Sequence, residues 1–279
     1  MKCLIDADVL VYELAFSGQS VDEETKKLVV RGFEFVAELL DQRIKEIVEE
    51  CWAESCTLYL TNDKKLQRML ERRAKTLGES VEPYVPNFRE AIAVSKPYKG
   101  TRVQEKPFHR DNIRAYMLEH YDCVVANGME ADDLMAIHQT DSTIICTRDK
   151  DLRMVEGMQF GWPCGKQPQF GPLKVEGVGS IELVKKKDIK GYGPKFFYSQ
   201  LITGDKVDNI PGLPRGGAVM AYNLLADLET EEEMLEAVKA KYEEKLGEGW
   251  DTYLLEQGRL LWMVRELDDE GKPVMWEIG

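Results

Sequence analysis

Gly128-Met129-Glu130-Ala131-Asp132-Asp133, followed by Ser142-Thr143-Ile144-Ile145-Cys146 and then Thr147-Arg148-Asp149-Lys150-Asp151, decides how this chain is read. The first group opens an apolar-periodic segment, Leu134, Met135 and Ile137. It therefore reads as the first turn of a helix, with Glu130 and Asp133, three apart, on one face and Asp132 on another. Ser142 to Cys146 is uncharged and rich in β-branched residues, as in a buried parallel strand that delivers Asp149 and Asp151 at its C-terminal end. Acidic residues in a first helical turn are favoured by the helix dipole alone, by about 0.3–1 kcal/mol each, and Asp is common in loops. Each cluster by itself is thus structural. Together they are five carboxylates that cannot all stay ionised at close range unless cations neutralise them. Hard oxygen ligands without His or Cys among them suit Mg²⁺ or Mn²⁺ rather than zinc.

Working outward, the 279 residues predict an α/β core with a smaller second domain. A net charge of −13 argues against a nucleic-acid partner unless the charges segregate. They do: acids concentrate in the candidate metal site and the C-terminal half, and basic residues between Lys64 and Arg114. Six scattered cysteines without a C-x-x-C read as reduced core residues. Asp6 and Asp8 interrupt the N-terminal apolar run, so no signal peptide is expected, and no stretch approaches the ~20 apolar residues of a membrane span. The expectation is a soluble, cytoplasmic protein.

Lys2 to Asp8 reads as a strand ending in two acids, at the sheet edge where open parallel sheets place their chemistry. Phe33 to Val48 has the apolar spacing of an amphipathic packing helix, and Thr57 to Leu60 reads as a further strand ending near Asp63. Asp63 to Leu77 is a helical stretch carrying Lys64, Lys65, Arg68, Arg72, Arg73 and Lys75, which is either a solvated face or a phosphate-facing one. Phe88, Tyr98 and Phe108 interleave with Arg89, Lys96, Lys99, Arg102, Lys106, Arg110 and Arg114, a mix that can pair with phosphates and stack on bases. Further on, Asp205 and Asp208, three apart, precede a glycine-rich run of Gly212, Arg215, Gly216 and Gly217. Such glycines let backbone amides approach an anion at a helix start.

Glu130-Ala131-Asp132-Asp133, Asp149-Lys150-Asp151, Tyr98-Lys99-Gly100-Thr101-Arg102 and Gly204-Asp205-Lys206-Val207-Asp208-Asn209-Ile210-Pro211-Gly212 together resemble the motifs of the 5′ nuclease family, which includes flap endonucleases, the 5′ nuclease domains of bacterial DNA polymerases and phage 5′→3′ exonucleases. The resemblance implies a PIN-like parallel sheet with helices on both faces over residues 1–180, with a helical arch at 63–115. It also implies a helix-three-turn-helix DNA-binding domain at 181–265 and a C-terminal segment, 266–279, returning to the core. It implies one metal group of Asp6, Glu130, Asp132 and Asp149 and a second drawing on Asp133, Asp151, Asp205 and Asp208. Two Mg²⁺ or Mn²⁺ ions are implied, with K⁺ at the DNA-binding hairpin a further expectation.

Lys99 and Arg102 would hold the scissile phosphate, and Arg68, Arg72, Arg73, Arg89, Gly212, Arg215, Gly216 and Gly217 would bind DNA. Asp63 stands about 24 positions ahead of Asn87-Phe88-Arg89 and is either a ligand or a helix cap. The family's Gly-Ile-Gly appears as Arg215-Gly216-Gly217, with Val219 where a basic residue is usual. The implied activity is a magnesium-dependent 5′→3′ exonuclease or flap endonuclease of phage DNA replication. Its implied substrate is duplex DNA with a 5′ end or flap, or an RNA–DNA hybrid, bound by a monomer in the host cytoplasm with no membrane partner. The alternatives are a PIN-type ribonuclease, which has no need of the Asp205 to Gly217 hairpin, and an inert structure-specific DNA-binding protein.

Overall fold

The computed structural model describes residues 1–101 and 105–279. In chain order the elements are β1 (Lys2–Asp6), α1 (Ala7–Ser17), β2 (Gln19–Val21), β3 (Leu28–Val30), α2 (Phe33–Glu50), β4 (Ser55–Thr61), α3 (Lys64–Leu77), α4 (Phe88–Ile92), α5 (Arg110–His120), β5 (Cys123–Ala126), α6 (Ala131–Ile137) and β6 (Thr143–Cys146). A 3-10 turn (Asp151–Met154) follows, then β7 (Gly157–Gly161), β8 (Phe170–Val175), β9 (Ser180–Val184), β10 (Asp188–Tyr192), α7 (Pro194–Thr203), α8 (Ala218–Leu225), α9 (Glu231–Leu246) and α10 (Trp250–Leu261). They gather into two compact units. The first is Met1–Asn87, Gln104–Arg148 and Met158–Leu173; the second is Phe88–Val103, Asp149–Gly157 and Lys174–Gly279.

The first unit is built on a sheet of order β5-β4-β1-β6-β7-β8. β1 pairs in parallel with both β4 and β6, β4 with β5, and β6 with β7. Central β1 explains why the run Cys3-Leu4-Ile5 lacks alternation: all three are at most 2% exposed, as in a parallel strand covered on both faces. α2 closes one side through Val36, Leu40, Ile44 and Ile47, at helical spacing, each side chain contributing roughly 1.5–3 kcal/mol by burial. Because these strands run in parallel, Asp6, Thr61 and Thr147 arrive together at the carboxyl edge.

One expectation fails here. The strand expected over Lys2 to Asp8 stops at Asp6, whose carboxylate accepts from the Val9 amide at 3.1 Å and caps α1, so Asp8 lies in the helix. α1 buries Ala7, Leu10, Val11, Leu14 and Ala15. All six cysteines are free thiols, with Cys3, Cys51 and Cys146 in this core, as read from the sequence.

The second unit is organised around α7, which starts with Pro194 at its first turn and is buried from Pro194 to Ile202. α8, α9, α10 and the antiparallel β9–β10 hairpin pack against it. Phe197 sits edge-on to Tyr198, Trp262 and Trp276, 5.0–5.7 Å between ring centroids. α9 opens with a Thr230–Glu233 capping box. The C-terminal segment forms no strand among the described residues, only an isolated bridge between Leu267 and Pro273. Trp276 instead lays its ring over Gly258, where a Cβ would come within 2.0 Å of it. Among the described residues no helix is long and apolar enough to cross a membrane.

Candidate metal and nucleic-acid site

At the carboxyl edge of the first unit's sheet, Asp6 accepts from the Thr147 hydroxyl at 2.7 Å as well as from Val9. Asp8, which none of the motifs assigns a role, accepts from the Thr61 amide at 2.9 Å. Burial raises its carboxyl above the usual range, against the lowering effects of Thr61 and Arg114 and with a further push from Glu130. The Thr61 hydroxyl in turn accepts from the Ala131 amide at 2.9 Å and seats the start of α6. Glu130 caps that helix, and its own amide donates to Asp133 at 3.1 Å. Asp133 is completely buried, whereas Glu130 and Asp132 are half-buried.

Asp63 settles as a clasp. Its carboxylate caps α3 through the amides of Lys65 and Leu66, both at 2.8 Å, and takes Arg110 at 2.5 Å and Arg114 at 2.9 Å. Burial would push this carboxyl up, but Arg110, the Leu66 amide and Arg114 outweigh it and hold it well below the usual carboxylate range. Both its oxygens are thus committed to protein donors, and the helix-cap alternative is the one the structure realises.

The second unit carries Asp149, Lys150, Asp151, Asp205 and Asp208. Lys150 Nζ lies 2.8 Å from Asp151 and 2.5 Å from Asp205, tying the two acids together. Asp205, 4% exposed, also accepts from the amides of Val207 and Asp208, and Asp151 accepts from Gln200 at 2.6 Å. Burial and the neighbouring charges of Asp149 and Asp205 push Asp151 up to about 7 despite Lys150. Burial, with Asp208, raises Asp149 as well. Acids held this way resist full ionisation, and a bound divalent ion reverses that balance. A donor set of carboxylate oxygens, with raised carboxyls at its centre, fits a hard divalent cation such as Mg²⁺ or Mn²⁺. Among the described residues the one compact group of ligand-type atoms lies elsewhere: the thiols of Cys3, Cys51 and Cys146, within 4.8 Å of one another inside the first unit's core.

Lys99 belongs to the second unit's acidic group. Its ammonium is 3.7 Å from Asp208, its amide donates to the Asp208 carbonyl at 2.9 Å, and the Tyr98 hydroxyl donates to the same carboxylate at 2.9 Å. Lys99 takes a positive φ of 54°, a conformation that non-glycine residues adopt at a cost and that clusters at functional sites. Arg102, its expected companion, lies outside the described residues.

The DNA-binding assignments divide. Arg68, Arg72 and Arg73 are exposed on α3 and make no ion pair with a described carboxylate, while Leu66 and Ala74 bury the helix's other face. The range 63–115 expected as an arch divides between the units: α3 and α5 pack in the first, joined by the Lys65–Asp111 ion pair, while α4 and the rest of 88–103 belong to the second. Arg89 is a correction. It is completely buried in the second unit, stacked on Phe88 and donating to the carbonyls of Leu260 and Trp262, so it closes the end of α10 and offers DNA nothing.

In the glycine-rich run, Gly212 (φ 65°) backs onto Gly204, and a Cβ at Gly216 would strike the Ile202 carbonyl. Those glycines serve the hairpin's own close packing. Gly217 instead faces open space at the uncapped start of α8, beside exposed Arg215. Sequence reasoning gave Lys150 no role and Asp8 no definite one. Their signal was their position, a lysine between two acids and a second acid just past a strand end.

No protein-family model matches the chain. It is similar to DNA polymerase I of Pseudomonas aeruginosa, 33% identical over 158 residues, which is 50% of this chain and 15% of that protein. DNA polymerase I of Rhizobium leguminosarum is 32% identical over 130 residues, 43% and 12%. The chain spans less than a fifth of the length of these curated relatives. Among solved structures, a bacteriophage T5 flap endonuclease in a complex with DNA and metal ions superposes with a TM-score of 0.51 at 17% identity, covering 94% of this chain and 88% of that one.

Proposed function

From a chain that has the fold of the 5′ nucleases, we propose a divalent-metal-dependent nuclease that hydrolyses phosphodiester bonds at the 5′ side of duplex DNA, as an exonuclease or at flaps. The observation that carries this reading is the second unit's acidic group. Asp149 and Asp151 stand with raised carboxyls beside Lys150, which pairs with Asp151 and Asp205, and Lys99 is clasped to Asp208. Asp6, Glu130 and Asp132 are the acids we assign as ligands on the first unit's sheet edge. Two bound Mg²⁺ or Mn²⁺ ions would supply an activated water and charge stabilisation for an in-line displacement.

The chain's own residues then position and orient. Thr147 and Val9 fix the Asp6 carboxylate, and Thr61 seats the start of α6 with Glu130. Lys99, with Arg102, would place positive charge where the phosphate gains negative charge. Gly217 and the free amides of α8 would receive a duplex phosphate beside Arg215. Substrates with an RNA strand, a role in phage replication, K⁺ at the hairpin and a monomeric state belong to the same proposal.

Mn²⁺ titration followed by electron paramagnetic resonance tests the metal assignment. The wild type should bind about two ions, and Asp149→Asn and Asp205→Asn should each weaken or lose one. Unchanged binding in both variants would remove the acidic group from the metal site.

A further inference from the structure

Lys185-Lys186-Lys187 is the one run of three consecutive basic residues in a chain of net charge −13. The fold places it at the tip of the β9–β10 hairpin. Val184 pairs with Asp188 across the two strands, and the Lys187 amide donates to the Val184 carbonyl at 3.0 Å, closing a tight turn. Lys185 and Lys186 occupy its two central positions with φ of 49° and 56°. Positive φ at both positions is what a type I′ turn requires, and Asn-Gly is the pair that meets it without strain. Lysine at both is the unfavourable choice for folding, and strain of this kind persists where a side chain has a use.

All three lysines are exposed, and none makes an ion pair with a described carboxylate. Asp188 is the nearest acid in sequence, and its carboxylate accepts from the Ile189 amide. Lys190 faces Glu182 across the strands, so the charge that matters is at the tip. The hairpin is a firm mount: Ile189 is buried, and both strands pack against α7 and α8 of the same unit. α8 is the helix whose open start lies at Gly217.

We infer that this hairpin tip is a second phosphate-backbone contact, binding duplex DNA through Lys185, Lys186 and Lys187 independently of base sequence. The inference rests on the DNA reading proposed above. Charge complementarity identifies the partner. Lysines are point-charge phosphate binders, and each phosphate neutralised adds about 0.9 to the slope of log affinity against log salt. In a chain of net charge −13, each further basic point offsets part of the repulsion between the acidic surface and the backbone.

The decisive variant is Lys185→Asn with Lys186→Gly, which keeps the turn and relieves the strain, compared with Lys185→Gln/Lys186→Gln/Lys187→Gln, which removes charge alone. Binding of a labelled nicked duplex is followed by fluorescence anisotropy in Ca²⁺ across a KCl series, alongside thermal unfolding. The Asn-Gly variant should unfold at a higher temperature yet bind the duplex several-fold more weakly at low salt, with the slope reduced by about two units. The triple Gln variant should lose up to about three. Wild-type affinity and slope in both variants would overturn the inference while leaving the nuclease reading intact, provided the wild type still cleaves. Absence of DNA binding and cleavage in the wild type would overturn both. Loss of binding to phosphatidylserine vesicles, with duplex binding unchanged, would transfer the lysines to a lipid surface and overturn the assignment to DNA.

Discussion

Asp63→Ala separates the clasp from a metal-ligand role at this position. The substitution removes a helix cap that accepts two amides, worth about 0.5–2 kcal/mol. It also leaves Arg114, 1% exposed, and Arg110, 8% exposed, without their shared carboxylate. Breaking a buried pair from one side costs about 3–5 kcal/mol. That upper range is discounted because the Asp63 side chain is 32% exposed, Arg110 keeps Asp111, and Arg114 keeps the Thr61 carbonyl. A total of about 3–5 kcal/mol follows for Asp63→Ala. Asp63→Asn keeps a capping oxygen and loses the charge-assisted bonds, about 1–3 kcal/mol.

Urea unfolding at neutral pH measures both, and an acid series supplies the sign. The folded-state carboxyl is held below its unfolded value of about 3.9. Its stabilisation is therefore complete above that pH and is lost as pH falls toward the folded value. The gap between wild type and Asp63→Asn should accordingly shrink below about pH 4. A loss under about 1 kcal/mol in Asp63→Ala, together with abolished metal-dependent cleavage in Asp63→Asn, would refute the clasp and restore Asp63 as a ligand.

Three further outcomes follow from the site. Glu130→Ala or Asp149→Ala should abolish cleavage and leave DNA binding intact or tighter, since each removes a ligand and a negative charge; cleavage within tenfold of wild type removes them from the metal shell. Lys99→Ala should lower the single-turnover rate far more than the affinity, and an equal loss in affinity with an unchanged saturated rate would make it a ground-state anchor. Charge reversal at Arg68, Arg72 and Arg73 should weaken flap binding and flatten its salt slope by roughly one unit for each phosphate no longer neutralised, disturbing a blunt duplex less. An unchanged flap slope would leave the α3 face merely solvated.

The acidic helix start and the strand delivering Asp149 were legible because periodicity and β-branching act locally: α6 and β6 lie where Glu130 to Ile137 and Thr143 to Cys146 predict them. α1 was not legible. Val9, Leu10 and Val11 resemble a continued strand, and the half-buried Val9 and Tyr12 and the exposed Phe16 blur the stripe of Ala7, Leu10, Val11, Leu14 and Ala15 that the helix buries. Arg89 was misread for a physical reason too. A basic residue between aromatic and acidic neighbours carries the same signal whether it meets phosphate or, as here, the carbonyls of Leu260 and Trp262, 171 and 173 positions away. Asp63 stayed ambiguous because its partners Arg110 and Arg114 are 47 and 51 residues distant. The glycines of 204–217 showed that backbone would approach closely, yet only the folded chain distinguishes Gly212 against Gly204 from Gly217 against open space.

The central claim, metal-dependent hydrolysis from a DNA 5′ end, is tested most directly by incubating the protein with 5′-labelled flap, nicked and blunt duplexes and with single-stranded RNA, in Mg²⁺, Mn²⁺ or EDTA. Release of short labelled products from the DNA substrates in Mg²⁺ or Mn²⁺, suppressed by EDTA and absent in Asp149→Ala, is the predicted result. Cleavage confined to single-stranded RNA, cleavage that survives EDTA, or DNA bound without any hydrolysis in either metal would contradict it.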